Sequence, residues 1–461
     1  MDAIEFQSTI ERQKNFFLSG ATRNVEHRIE MLKCLKDAIR QHEKDIFEAL
    51  DADIRKPAFE TYASEIGFLY DEINFALKRI RSWVKPQRVG TPILHFPSSS
   101  YIQYEPKGVV LIIGAWNYPV QLSLNPLIAA VAAGNCAIVK PSEFSPASAA
   151  VVEKIATACF SPEHVAVVQG EGHTVIPMMM SKFRFDHIFY TGGVPVAKKI
   201  ASEAAKELIP VTLELGGKSP CIVDEGCDLK VSAKRIVWGK FFNAGQTCIS
   251  PDYVLVHKNV KTEFTGLLLK TLKETYGNDP SNDIDMARII DERHFLRLEK
   301  LLVTGKILYG GKKEKEKLFI QPTLMEISDP EHPLMAEEIF GPILPVIEFD
   351  SIDHAISIVR RHPCPLSLYV FTKNKDHEKR FVTVLQFGNG AVNNTLVHYA
   401  NPNLPFGGIE YSGMGAYHGK NGFEIFSHRK SITRSGTWLD LPVKYPPYKD
   451  KLKWLRLFLK P

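Results

Sequence analysis

The sequence predicts an α/β fold built on doubly wound parallel sheets, and three observations carry that expectation. From Gly108 onward, short apolar runs at 108–113, 136–139, 165–168 and 187–190 alternate with helical stretches at 122–133, 146–158 and 196–208. This is the signature of parallel strands joined by crossover helices. Second, Ala115-Trp116-Asn117-Tyr118, Lys140-Pro141-Ser142-Glu143 and Thr191-Gly192-Gly193 each fall just after one of these apolar runs. In such sheets ligands bind beyond the carboxyl ends of the strands, so the three motifs are expected to converge on one crevice. Third, a second strand-and-helix alternation starts near Val211 and runs to about Asn394. At 461 residues the chain exceeds one hydrophobic core.

In chain order, the first eighty residues read as helices. Ile29, Leu32, Leu35 and Ile39 recur at helical spacing, and Ile66, Leu69, Ile73 and Leu77 repeat the pattern. Pro86 closes this region. Residues 91–104, with Pro92 and Pro97, read as an irregular or hairpin insertion. The acidic start, Met1-Asp2-Ala3-Ile4-Glu5, lacks the basic and apolar regions of a signal peptide, and no apolar stretch reaches membrane-spanning length. Seven cysteines, at 34, 136, 159, 221, 227, 248 and 364, form no Cys-x-x-Cys pair. That supports a reducing, cytoplasmic setting and neither a zinc site nor a disulfide framework. From Lys444 to the end, six basic residues face only Asp450, which accounts for the whole net charge of +5. The remainder is close to neutral, which argues against a nucleic-acid-binding surface.

Chemistry enters with Cys248, which closes Phe-Phe-Asn-Ala-Gly-Gln-Thr-Cys at 241–248, and with Glu214 in Leu-Glu-Leu-Gly-Gly-Lys at 213–218. A thiol that adds to a carbonyl carbon, followed by a carboxylate that activates water, suggests covalent catalysis ending in hydrolysis. Either residue alone also reads as ordinary structure, a buried thiol or a strand end at a glycine turn. Together with Gly114 to Pro119, Lys140 to Glu143, Thr191 to Gly193 and Glu338-Ile339-Phe340-Gly341-Pro342, they resemble in order and spacing the NAD(P)-dependent aldehyde dehydrogenase superfamily over nearly the whole chain. Leu404-Pro405-Phe406-Gly407-Gly408, Tyr417-His418-Gly419-Lys420 and Phe426-Ser427-His428 are most similar to its class 3 and fatty aldehyde branch.

The resemblance implies two doubly wound α/β domains plus a small bridging or oligomerisation element. Residues 1–85 and 105–212 would form the cofactor-binding domain and 213–394 the catalytic domain. Residues 86–104 and 430–443 would form the bridge, 395–429 a return segment by the active site, and 444–461 a basic amphipathic tail. It further implies an enzyme oxidising medium or long aliphatic, or aromatic, aldehydes to acids. Cys248 would attack, Asn117 and the Cys248 N–H would stabilise the oxyanion, and Glu214 would activate water, with no metal. For NAD, with NADP as a second cofactor, it points to Ala115, Trp116, Lys140, Glu143, Thr191, Gly192, Gly193, Val196, Leu215, Glu338 and Phe340. There is no Gly-x-Gly-x-x-Gly, and Ala197 stands where the family pattern has its final glycine. The helix from Val196 would turn its positive end toward phosphate, and Glu143 would favour NAD by repelling a 2′-phosphate.

Tyr118, Trp238, Phe241, Phe242, His398 and Tyr399 are the substrate-pocket candidates, and at least half of them also read as core. A homodimer is the implied assembly. In the tail, Leu452, Leu455 and Leu459 share a helical face near Trp454 and Phe458, with Lys449, Lys453, Arg456 and Lys460 along another. Such a segment suits an anionic membrane surface or docking on a neighbouring subunit. Two alternatives stand beside hydrolysis: transfer of the acyl group to coenzyme A, and a catalytically silent membrane scaffold of the same fold.

Overall fold

The computed structural model describes residues 3–277, 280–282 and 285–459. Helices fill the first eighty residues, at Ala3–Leu18, Val25–Gln41, Glu43–Ile54 and Gly67–Trp83. A hairpin then forms from β1 (Gln87–Val89) and β2 (Ser98–Pro106). The first α/β unit runs through β3 (Val109–Ile113), β4 (Cys136–Lys140), β5 (Val165–Val167), β6 (His187–Thr191) and β7 (Val211–Glu214). The second contains β8 (Pro220–Val223), β9 (Tyr253–His257), β10 (Lys306–Tyr309), a small hairpin of β11 (Lys313–Glu314) and β12 (Phe319–Ile320), β13 (Thr323–Glu326), β14 (Ile343–Phe349), β15 (Ser367–Phe371) and β16 (Asn389–Val392). Last come β17 (Gly413–Met414) and β18 (Ser427–Ser435).

Two large sheets organise these strands. One has the order β17-β7-β6-β3-β4-β5, parallel except for β17. The other has the order β10-β13-β14-β9-β8-β15-β16, parallel except for β10. Both are covered on two faces, as parallel sheets require. On β3, Val110 and Ile112 pack on one face against the helices carrying Ile29, Leu32, Leu69, Ile73, Leu124 and Val131. Val109, Leu111 and Ile113 pack on the other, with Phe6, Ile10, Met179 and Ile200. Each fully buried Leu or Ile of this kind contributes about 1.5–3 kcal/mol. The apolar run of β3 is thus one strand inserted between two cores.

The structure differs from the sequence-based reading in three places. β7 pairs in parallel with β6, Thr191 beside Glu214, so the first sheet runs through Glu214, past the boundary expected at 212. The chain leaves that sheet only at Gly216 and Gly217, which follow the strand. The bridging strand β18 spans Ser427–Ser435, starting earlier than residue 430, and pairs along its full length with β2. A helix at Gly172–Lys182 has no counterpart among the expected elements, because Pro177 lies inside it and interrupts the helical pattern. Among the described residues, no helix is long and apolar enough to cross a membrane.

Candidate active site

The parallel register lines up the strand ends of the first sheet. Ile113 pairs with Lys140 and with Tyr190, and Thr191 pairs with Glu214. The segments that follow, from Gly114, Pro141, Gly192 and Leu215, therefore emerge at one edge. Asn117, 4% exposed, sits in the first of them; its side-chain amide donates to the Gln246 carbonyl at 3.0 Å, and its own carbonyl accepts from the Asn243 amide at 3.0 Å. The Tyr118 hydroxyl meets Thr247 at 2.6 Å. These bonds join the loop after β3 to the loop that carries Cys248.

That second loop is backbone-strained. Asn243 and Ala244 are left-handed, with φ of 55° and 52°, and Gly245 follows at φ 73°. The left-handed region costs an L residue about 1–2 kcal/mol, so the surroundings must hold the turn. The Gln246 amide donates to the carbonyls of Asn243 and Arg288, while its oxygen accepts from Ile290 N–H at 3.0 Å. A Cβ at Gly245 would collide with the Gly341 carbonyl, which brings the segment containing Glu338 and Phe340 against the same turn.

Cys248 is partly exposed, and burial, followed by the nearby charges of Glu338 and Glu214, holds its thiol above the usual range. Glu214 is 3% exposed; neither carboxylate oxygen has a partner among the described residues, and burial raises its affinity for a proton well above that of a free carboxyl. An unpaired buried carboxylate is costly to maintain for structure alone. Tyr417 feels both Glu214 and Cys248, and its hydroxyl meets that of Tyr399 at 3.3 Å. β17 explains its presence: Gly413 pairs with Glu214, and Leu215 N–H donates to the Ser412 carbonyl, so the return segment lies along the end of β7.

The dinucleotide candidates form a second cluster on the same edge. Lys140, 2% exposed, is ion-paired with Glu143, whose other oxygen accepts from Gly172 N–H at 2.8 Å. The Thr191 hydroxyl is buried with no partner among the described residues. The next helix, Val194–Lys206, starts two residues before Val196, which is exposed, and its cap residue Gly193 provides no side chain to its free N–H groups. An uncapped helix start and an orphan hydroxyl at a strand end fit a phosphate-bearing ligand. Leu215 is buried after β7. Trp116, beyond Ala115, packs edge-on against Phe340 at 5.3 Å. Glu338 is drawn up to about 8, chiefly by burial and then by Asp252, and a Cβ on Gly216 would strike its carboxylate. The residues present therefore suit a dinucleotide.

The aromatic candidates divide. Trp238 is 44% exposed and packs on the buried Phe242 at 5.7 Å, while Tyr399 stacks on Phe68 at 4.8 Å. Phe241 is instead part of the core of the second unit, next to Tyr276, because one residue of rotation turns it away from Phe242's side. His398 is held by Ser367 and Asn389 of β15 and β16, and burial lowers it to about 4, so it serves that sheet's edge. Missing from the sequence-based set are Lys56, Glu60 and Glu65. In sequence they look like the solvated face of a helix; in the structure Lys56 and Glu65 form a fully buried pair at 2.9 Å. No local signal distinguishes them apart from Pro57, which breaks the helix there.

Comparison with known proteins gives the same reading. Residues 1–432 match the model of the aldehyde dehydrogenase family. A 4,4'-diaponeurosporen-aldehyde dehydrogenase of Staphylococcus aureus is 45% identical over 97% of both chains. A mouse aldehyde dehydrogenase described as dimeric and NADP-preferring is 42% identical, over 96% of this chain and 98% of its own. A solved structure, the substrate-bound state of Staphylococcus aureus AldH, superposes with a TM-score of 0.95 at 44% identity, covering 99% of this chain and 100% of that one. The chain therefore belongs to the aldehyde dehydrogenase family, as an NAD(P)-dependent oxidoreductase that oxidises aldehydes to carboxylic acids.

Proposed function

We propose that the reaction runs through a thioester on Cys248. The sulfur adds to the aldehyde carbon, and the oxygen that becomes charged is met by the Asn117 amide and the Cys248 N–H. Asn117 spends one amide hydrogen on Gln246 and keeps the other for this purpose. NAD or NADP, when bound, supplies the hydride acceptor. Lys140, Glu143, Thr191 and the start of the Val194–Lys206 helix would hold its phosphates and adenosine ribose, and Glu338 and Phe340 its nicotinamide side. Glu214 then takes a proton from the water that releases the acid. The observation that carries this reading is the buried Glu214 carboxylate, unpartnered and close enough to raise the Cys248 thiol. Such a group is a competent base for water and favours hydrolysis over transfer to coenzyme A.

The test is a pair of variants. Cys248→Ala should abolish turnover while dinucleotide binding stays near normal. Glu214→Gln should keep a burst of reduced cofactor and then turn over slowly, with acyl-enzyme visible by mass spectrometry. Substantial turnover by the first, or the absence of any acylated protein in the second, would sink the assignment, and faster steady turnover on adding coenzyme A would favour the acylating alternative.

Exposed Phe59, Tyr62 and Trp238 near the nucleophile loop support an apolar-chain or aromatic aldehyde as substrate. Glu143 supports NAD as the preferred cofactor. A homodimer would bury the apolar side chains exposed on the three-stranded β1-β2-β18 element and its flank, Ile93, Phe96 and Trp438 among them. The basic tail supports peripheral contact with an anionic membrane by a cytoplasmic enzyme.

A further inference from the structure

Between the helices at Glu43–Ile54 and Gly67–Trp83 the chain makes a short helix, Ala58–Thr61, that widens into a π turn at Tyr62–Ile66. A widened turn changes which side chains share a face, and π turns recur at functional sites. Here the short helix and the π turn that follows it direct one carboxylate each to the two loops of the candidate active site. Glu65 accepts from Val120 N–H at 3.1 Å and Gln121 N–H at 2.8 Å, at the start of the helix that follows Asn117. Glu60 accepts from Asn243 N–H at 2.9 Å, at the first strained residue of the turn that leads to Cys248. Lys56 lies between them: its ammonium pairs with Glu65 and sits 3.9 Å over the Tyr118 ring, and its charge also acts on Glu60.

We infer that Glu60 and Glu65, spanned by Lys56, act as a clamp that sets the register between the Asn117 loop and the Cys248 loop. Glu60 is the positioning residue of the pair, holding the left-handed Asn243–Ala244 turn so that the sulfur points where Asn117 can meet the oxyanion. The inference rests on the proposed roles of Cys248 and Asn117. Two features favour a positioning device over ordinary packing. The Glu60 bond is made to the backbone N–H of a strained residue. The two carboxylates come from adjoining elements, the short helix Ala58–Thr61 and the π turn Tyr62–Ile66, far away in sequence from either loop.

The test compares Glu60→Leu, which removes the acceptor, with Glu60→Gln, which keeps an oxygen for Asn243 N–H. It adds Ala244→Gly, alone and combined with Glu60→Leu, because glycine tolerates the left-handed turn without the clamp and no hydrogen bond is lost. Two readouts are taken on the full-length protein: the rate of Cys248 alkylation by iodoacetamide, which needs no turnover, and the first-turnover burst of reduced cofactor. Glu60→Leu should slow the burst by roughly tenfold or more, as small misplacements do. It should also change the alkylation rate at Cys248, with the dinucleotide KM little moved. Glu60→Gln should lose several-fold less, and Ala244→Gly should restore part of what Glu60→Leu loses. Equal losses in the Leu and Gln variants, or no rescue by Ala244→Gly, would overturn the clamp. Cys248→Ala is the separate check on the nucleophile: if it retains turnover, the underlying reading fails whatever the Glu60 variants do.

Discussion

Glu143 already accepts from Lys140 and from Gly172 N–H, and that limits how strongly it can discriminate between cofactors. A carboxylate has about four acceptor sites, so it can still take ribose hydroxyls. Its charge, however, is partly neutralised by Lys140, and repulsion of a 2′-phosphate is correspondingly reduced. Glu143→Gln should therefore raise the NADP/NAD ratio of kcat/KM by about fivefold to tenfold, less than an unpaired carboxylate would give; an unchanged ratio would place the preference elsewhere. Other buried acids act on stability. Glu72 and Glu60 are raised to about 7 and Glu338 to about 8, each chiefly by burial. A carboxyl whose folded value lies above its unfolded value binds its proton more tightly in the native state. Its stabilisation is thus complete below about 4.5 and is lost as pH rises through 7 to 8. Thermal stability should therefore fall as pH rises from about 4.5 to about 8. Glu72, which accepts from Gly419 N–H and feels Asp71, makes the simplest test: Glu72→Gln should flatten that fall, by up to about 3 kcal/mol at the alkaline end. An identical pH profile in the variant would show that Glu72 does not titrate there.

Where elements meet, the nucleophile turn lies close against the segment of Glu338 and Phe340, with Gly245 facing the Gly341 carbonyl. Gly245→Ala adds a methyl group facing backbone at φ 73°, so neither partner can swing aside. It should destabilise by about 2–4 kcal/mol in denaturant melts and cut turnover as well; a variant as stable as the parent would show that the two segments are not packed this closely. No sequence pattern announces such a contact. Short apolar runs locate β3, β4, β5 and β6 nearly to the residue, because a strand buried on both faces must be apolar throughout. β7 lies in the other sheet from the one its place in the chain suggests, because its sequence, Val-Thr-Leu-Glu, says nothing about which neighbour it pairs with. The loops containing Asn117 and Cys248, and the end of β7 at Glu214, are legible through motifs. Lys56, Glu60 and Glu65 are not, since a charged residue on a helix reads as solvated until tertiary packing closes over it.

For the molecule as a whole, the feature that reaches furthest beyond the single chain is the carboxyl-terminal tail, which ends in the helix Leu452–Phe458. Leu452, Trp454 and Leu455 are about half exposed, so the apolar face expected from the sequence is uncovered in the single chain. Lys451 folds back onto the carbonyls of Pro442 and Tyr445, which anchors the tail's base and leaves Lys449, Lys453 and Arg456 for an outside partner. Lys460 lies outside the described residues. Each base near an anionic surface contributes about 1 kcal/mol, reduced by screening, and the half-buried Trp and Leu side chains add their transfer energy. On the proposed membrane reading these would together give reversible attachment, well short of permanent insertion. The full-length protein should therefore co-sediment with vesicles containing phosphatidylserine at low salt and release as ionic strength rises. Deleting 449–461 should abolish that binding while aldehyde oxidation persists. If truncated and full-length proteins bind vesicles equally, the tail is not the anchor; if truncation instead turns a dimer into a monomer in sedimentation, the exposed face belongs to a second copy of the chain.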